Sequence, residues 1–251
     1  ELKQCLFEFI YFLNKNSYFK LEPQEAIKYE DFNEEIIKND KSYLRMDDYR
    51  YFIGVELAKQ ENNNFILNQK ENIVVIGAPD TGIPSGKGFA DYLEVEYKQF
   101  IYKKPKQGRS FILEDNKSRI KQIKNKFAID ENLSIEKKIV YFVDDSLVRG
   151  NTIHIIIELL YSYKPKEIHI RIVSPKVIFP CIYGIDIPTK KELIMNRYTE
   201  QELAIHYNIK SIKFLNLKNM NNCITNIYNN GINNFCTSCF DGEYIGQIYE
   251  F

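Results

Sequence analysis

The apolar positions fall into a strand-then-helix rhythm across the middle of the chain. Residues 72–78 (NIVVIGA) form a short apolar run closed by Pro79, Asp80 and Gly82, the pattern of a buried strand meeting a turn. Residues 86–92 predict a short helix. Residues 138–143 (KIVYFV) predict a second buried strand ending in Asp144 and Asp145. A helix is expected over 151–163, where Ile153, Ile156, Ile157 and Leu160 share one face and Asn151 or Thr152 is placed to cap it. Residues 167–173 (EIHIRIV) supply a third strand. Strand, helix, strand in this order predicts a right-handed crossover and an α/β fold with a parallel sheet flanked by helices. In such sheets ligands sit beyond the carboxyl ends of the strands. Two segments fall there, PDTG at 79–82 and DDSLVRGNT at 144–152.

Away from this core the pattern weakens. Residues 20–42 are charged and poorly patterned, which predicts an inserted surface excursion. Residues 216–234 are rich in asparagine and predict a loop or a frayed helix running into a loop. The expected division is an N-terminal segment over 1–60 packing on the core, a core over 61–200, and a C-terminal segment over 201–251. No internal repeat is present.

Charge and composition narrow the functional classes. The 34 basic and 34 acidic side chains cancel, which argues against a nucleic-acid partner and against a polybasic membrane anchor. The richest apolar stretch, 153–160, is short and interrupted by Glu158, so no membrane span is expected, and no signal-peptide pattern opens the chain. A cytoplasmic location follows as the expectation. Five cysteines are an odd number that fits a disulfide framework poorly, leaving metal ligation or free thiols. Cys236 and Cys239 form a C-x-x-C for which zinc, an iron–sulfur cluster and free thiols all stay open. His154, His169 and His206 belong to no catalytic constellation and are read as structural or surface residues.

Residues 140–152 (VYFVDDSLVRGNT) carry the chemistry. An apolar strand delivers Asp144 and Asp145 to the sheet edge, and a turn with Ser146, Arg149 and Gly150 leads into a helix start. Successive backbone N–H groups in such a turn, aided by the helix dipole, make an anion cradle. Ser146, Asn151 and Thr152 can add donors. Two carboxylates beside a phosphate repel it unless a cation or hydroxyl groups stand between them, which a ribose diol with Mg²⁺ satisfies. No Walker loop is present. The D-T-G at 80–82 is also the aspartic-protease signature, but it occurs once and follows Pro79, so a protease is disfavoured.

This pattern resembles the 5-phosphoribosyl 1-diphosphate (PRPP) loop of type I phosphoribosyltransferases. Residues 79–84 (PDTGIP), 108–112 (GRSFI), 139–152 and 180–188 (PCIYGIDIP) together resemble the amidophosphoribosyltransferase family, as do CLFEFIYF at 5–12 and CTSCF at 236–240. The resemblance implies the type I phosphoribosyltransferase fold and formation of phosphoribosylamine and diphosphate from PRPP and ammonia, the first step of de novo purine biosynthesis. It places Asp80, Thr81, Gly82, Ser146, Leu147, Val148, Arg149, Gly150, Asn151 and Thr152 at PRPP, and Thr81, Asp144 and Asp145 at Mg²⁺. Asp144, Asp145, Lys103 and Arg109 are then the catalytic set. The segment 102–110 corresponds to the family's mobile active-site loop, with Arg119 and Lys121 at its following basic pair. Lys104, Pro105 and Lys106 stand where the family has asparagine, arginine and tyrosine, a departure that weakens the expected diphosphate contacts.

The four cysteine contexts match the ligand positions of a structural [4Fe–4S] cluster, implying Cys5, Cys181, Cys236 and Cys239 as ligands and leaving Cys223 unligated. The family also carries an N-terminal glutaminase domain with a nucleophilic first cysteine. The 251 residues open at Glu1 without one, so free ammonia rather than glutamine is the expected substrate of this chain, and the missing domain is an expected partner. A homo-oligomer is compatible with the resemblance. Two rival readings remain: a salvage enzyme acting on a nucleobase, and a PRPP-binding regulator without turnover.

Overall fold

A computed structural model describes residues 3–20, 43–104, 126–187, 189–227 and 235–245. The chain opens with a short strand, β1 (Gln4–Cys5), and a wide helical turn at Glu8–Phe12. Strands β2 (Tyr18–Lys20) and β3 (Tyr43–Arg45) pair antiparallel, with Tyr18 opposite Arg45. They bracket the expected 20–42 excursion, which lies outside the described residues beyond Lys20. Helices α1 (Met46–Ala58) and α2 (Asn63–Gln69) follow, and the Asn62 side chain caps α2 by accepting the Asn64 and Phe65 N–H groups. Then come β4 (Ile73–Gly77), α3 (Gly82–Leu93), β5 (Glu96–Tyr97), and an antiparallel pair of β6 (Ile101–Lys103) with β7 (Phe127–Ile129). The remaining core elements are β8 (Ile139–Asp144), α4 (Asn151–Tyr161), β9 (Glu167–Ile172), α5 (Glu200–His206) and β10 (Ser211–Phe214). The chain closes through α6 (Leu217–Ile227), β11 (Phe235–Cys236) and the short α7 (Ser238–Asp241).

Five strands in the order β10-β9-β8-β4-β5 form a sheet in which every neighbouring pair is parallel. The three strands read from the sequence are β4, β8 and β9, and their continuous apolar runs reflect burial on both faces. Ile73, Val75, Tyr141 and Val143 face one core with α1 and α3. Val74, Ile76, Val140 and Phe142 face the other, where Ile153, Ile156, Ile157 and Leu160 of α4 cover them. Each such side chain stabilises the fold by roughly 1.5–3 kcal/mol relative to exposure. Helices α1 and α3 cross at very close range. A Cβ on Gly54 would stand 2.0 Å from the Ser85 carbonyl oxygen, and one on Gly88 2.1 Å from that of Tyr51. Among the described residues no helix is long and apolar enough to cross a membrane.

β9 departs from an apolar reading on one face. Ile168, Ile170 and Ile172 join the α4 side, but His169 and Arg171 point the other way and are buried. Arg171 makes a two-pronged ion pair with Glu61, at 2.6 and 2.9 Å, and lies 4.9 Å from the Tyr141 ring centroid. Lys213 reaches Glu61 at 3.4 Å, and the His169 ring stacks on Tyr141 at 4.5 Å. A charged layer therefore replaces part of the core there.

Two local expectations need correction, and a third is resolved. The helix expected at 86–92 begins at Gly82, immediately after the turn, because Pro84 is tolerated in a first helical turn. The cap of α4 is Gly150 in the left-handed region, with no side-chain cap bond from Asn151 or Thr152. The asparagine-rich segment takes the helical one of its two expected forms as α6, with Met220 and Cys223 buried in the core shared with α1 and Asn216 accepting the Asn219 N–H at 2.7 Å. Residues 228–234 lie outside the described residues.

Candidate active site

The two segments singled out at strand ends meet beyond the carboxyl edge of β4 and β8, which are paired from Ile73–Ile139 to Gly77–Val143. Ala78 N–H donates to the Val143 carbonyl at 2.8 Å, carrying the pairing one residue past the strand. A Cβ on Gly82 would lie 2.7 Å from that same oxygen, so only glycine lets the start of α3 approach β8 this closely. As a result the Thr81 hydroxyl donates to Asp145 Oδ2.

Asp145 is buried, and its other oxygen accepts the Ser146 hydroxyl at 2.7 Å. Asp144 is half-buried, and its Oδ1 accepts the Asp145 N–H at 2.9 Å. Burial pushes the Asp144 carboxyl well above the usual carboxylate range, and the neighbouring Asp145 charge adds to it. Asp145 is also raised by burial, against the opposing pull of Thr81, Ser146 and the Arg50 charge. Two adjacent acids held against their preference for water form a site that a cation or a pair of hydroxyl groups would relieve.

The phosphate-cradle turn follows directly. Leu147 is buried and Val148 half-buried, anchoring the turn, while Asn151 and Thr152 are exposed at the start of α4. Gly150 sits at φ 82°, and a Cβ there would be 2.3 Å from Tyr207 Oη and 2.5 Å from Ile194 Cδ1. With no side-chain cap, the first N–H groups of α4 are open to an anion. The Arg149 side chain lies against Glu192 at 3.3 Å and Asp186 at 3.6 Å. Asp80 is exposed, and Lys103 at the end of β6 approaches it at 3.9 Å. Lys103 is therefore brought to the site, whereas Arg109, Pro105, Lys106, Arg119 and Lys121 lie outside the described residues.

Two further residues border the acids without any sequence signal for that role. Arg50 is fully buried on α1 and donates to the Ile10 and Leu13 carbonyls at 3.0 and 2.6 Å. It thereby clips the turn that carries Tyr11 and Phe12 beside the acid pair. The Tyr11 hydroxyl is pushed up by burial and by the charges of Asp145 and Asp144. The CLFEFIYF resemblance covered Tyr11, but no pattern marked Arg50.

Four cysteines lie on neighbouring segments elsewhere. β1 and β11 pair parallel, placing Cys5 directly opposite Cys236. Cys239 is buried, and its carbonyl accepts the Ile178 and Phe179 N–H groups at 3.0 and 3.1 Å, which brings the Cys181 segment alongside. The Tyr183 N–H points at Cys181 Sγ from 3.4 Å. Burial raises the Cys239 thiol, and charge on Cys5, Cys181 and Cys236 raises it further. Cys223 is buried away from them, with Glu56 and Lys59 as its charged neighbours. Among the described residues, no three His, Cys, Asp or Glu side chains stand close enough together to hold a metal ion as placed.

Residues 48–176 match the phosphoribosyl transferase domain family. The amidophosphoribosyltransferase of Synechocystis sp. is 33% identical over 242 residues, covering 96% of this chain and 42% of that protein. The amidophosphoribosyltransferase of Methanocaldococcus jannaschii is 36% identical over 175 residues, covering 70% of this chain and 36% of its own. Among solved structures, the glutamine PRPP amidotransferase from B. subtilis complexed with ADP and GMP superposes with a TM-score of 0.76 at 27% identity, covering 99% of this chain and 48% of that one. The chain spans less than half the length of these relatives.

Proposed function

The chain belongs to the phosphoribosyl transferase domain family and has the type I phosphoribosyltransferase fold, and from this premise we propose that it forms 5-phosphoribosylamine from PRPP and ammonia. Its relatives are amidophosphoribosyltransferases, enzymes of purine biosynthesis. The observation that carries the reading is the pairing of two fixed acids, Asp144 and Asp145, with an uncapped helix start at Gly150 on the same sheet edge.

In this reading the backbone N–H groups of 146–152, with Ser146, Asn151 and Thr152, bind the 5-phosphate of PRPP. Asp144 and Asp145 face the ribose diol and, with Thr81, would hold Mg²⁺. The acid pair fits a divalent cation because both carboxyls are raised by burial and each gains by sharing positive charge. Bound there, Mg²⁺ would supply charge to the departing diphosphate. Asp80, Thr81 and Gly82 face that diphosphate, and Lys103, already drawn toward Asp80, adds a second positive charge. Ammonia attacks C1 as the C1–O bond to diphosphate breaks, and the ammonium formed then gives up a proton to solvent. Positive charge building on the ribose ring is stabilised by the fixed carboxylates. Arg109 joins the catalytic set on the strength of the family resemblance.

On the family resemblance we also propose that Cys5, Cys181, Cys236 and Cys239 hold a [4Fe–4S] cluster, which requires the four thiols to draw closer than they stand as placed. Four thiols from three chain segments, one with a backbone N–H already aimed at its sulfur, are the donor set such a cluster takes. The cluster would staple the two chain ends and the 181 segment together. Glutamine would serve as ammonia source only together with a glutaminase domain.

Diphosphate release by residues 1–251 is expected with PRPP, ammonium and Mg²⁺. PRPP binding without turnover would overturn the enzyme reading in favour of a regulator. Anaerobically purified protein is expected to be brown and to contain iron and labile sulfide. A colourless, iron-free protein would overturn the cluster.

A further inference from the structure

We propose that Glu192 is a positioning residue for the phosphate loop, acting through Arg149, and that Arg149 serves the loop's geometry rather than contacting PRPP. The inference rests on the reading of 146–152 as a PRPP loop. Three consecutive loop residues are each held by one later stretch of chain. The Val148 carbonyl accepts the Ile194 N–H at 2.9 Å, and the Gly150 carbonyl accepts the Tyr207 hydroxyl at 3.1 Å. Between them, Arg149 Nε lies 3.3 Å from Glu192 Oε2, and a second guanidinium nitrogen lies 3.6 Å from Asp186. Asp186 is 92% exposed and contributes little at that distance, which leaves Glu192 as the main partner.

Glu192 is itself fixed. Its N–H donates to the Thr189 carbonyl at 2.9 Å, and its Oε1 accepts the Thr189 hydroxyl at 3.2 Å. Asn196 braces the same turn by donating to the Ile178 and Lys190 carbonyls at 2.9 and 3.0 Å. Leu193 and Ile194 are buried immediately after it. A carboxylate mounted this firmly orients the guanidinium. With its two flanking residues pinned as well, Arg149 can reach a phosphate only by leaving both acids. The gain is preorganisation: the loop N–H groups are aimed before substrate arrives, so the contribution appears in binding rather than in the bond-breaking step.

Glu192→Gln keeps the oxygen that bonds Thr189 and removes the charge that holds Arg149. Both residues are exposed enough that neither Glu192→Gln nor Arg149→Met threatens the fold. For Glu192→Gln the KM for PRPP is expected to rise about two- to fivefold, the span of a partly exposed ion pair. The kcat is expected to stay within about twofold and the thermal midpoint to stay unchanged. Arg149→Met is expected to raise KM by a similar factor, and the double variant to be no worse than Arg149→Met alone. Either an unchanged KM in Glu192→Gln or additive effects in the double variant would overturn the inference, because additivity is the signature of Arg149 touching substrate. Equilibrium dialysis of radiolabelled PRPP with the wild-type chain separates the two levels. No wild-type binding would defeat the PRPP reading itself, whereas normal wild-type binding with an indifferent Glu192→Gln defeats only the positioning role.

Discussion

Replacing Gly150 with alanine probes the tightest point of the phosphate loop. The residue holds φ 82°, where a side chain costs about 1–2 kcal/mol. The new methyl carbon would also stand 2.3 Å from Tyr207 Oη and 2.5 Å from Ile194 Cδ1, with the next atom at 3.7 Å. Tyr207 and Ile194 are only 6% and 2% exposed, so neither can swing aside cheaply. Overpacking of this kind costs typically ~1–3 kcal/mol. The sum is a loss of about 2–5 kcal/mol, large against an ordinary total of about 5–15 kcal/mol. Urea denaturation followed by circular dichroism reads it directly, with the midpoint falling and the slope unchanged. Tyr207→Phe supplies the internal control. Alone it removes one hydrogen bond, at about 0.5–1.5 kcal/mol, and leaves the Gly150 carbonyl its bond from the His154 N–H at 3.1 Å. On the Gly150→Ala background it also removes the closest clashing atom, so its cost there is expected to be smaller by at least ~0.5 kcal/mol. A Gly150→Ala protein within about 0.5 kcal/mol of the parent, or strict additivity with Tyr207→Phe, would refute the reasoning.

Three other outcomes follow from buried charge. Both acids of the active-site pair are raised in the folded state, so their contribution to metal-free stability is full below the ordinary carboxylate range and is lost as pH rises toward the raised values. Asp144→Asn is therefore expected to raise the thermal midpoint of metal-free protein at pH 7 while abolishing turnover, and a lowered midpoint would contradict this. His169 is held down to about 4, first by burial and then by the Arg171 charge, which gives the opposite slope. Its contribution is full above its ordinary value near 6.5, is lost as pH falls toward 4, and amounts to something on the order of 3 kcal/mol. His169→Gln is expected to flatten that acid limb in pH-dependent urea titrations, and an unaltered limb would argue that other groups carry it. Glu61→Ala strands the Arg171 guanidinium, which is 1% exposed, and is expected to cost about 3–5 kcal/mol in the same titration. A loss below about 1 kcal/mol would mean that Arg171 finds another partner.

The amino-acid sequence by itself determined the strands β4, β8 and β9, the helix after the acid pair, and the acid pair with its phosphate turn. These features rest on neighbours within a few residues: a run of β-branched side chains, a turn glycine, adjacent carboxylates. The same short-range logic misplaced the start of α3, because what holds Gly82 in place is contact with the Val143 carbonyl from another strand. It left α6 open between a loop and a frayed helix, because asparagines dominate the segment and the burial of Met220 and Cys223 against the core is decided by distant residues. Arg50, Glu192 and Tyr207 left no local trace either, since each acts on backbone or charge that is distant along the chain. The cysteines mark the same boundary. Their spacing left zinc, iron–sulfur and free thiols open. Only the pairing of β1 with β11 sets Cys5 opposite Cys236, and only the bonds to the Cys239 carbonyl bring in Cys181. Periodicity records what each residue needs from its immediate surroundings, but which distant residue supplies it is decided when the strands pair and the two cores close.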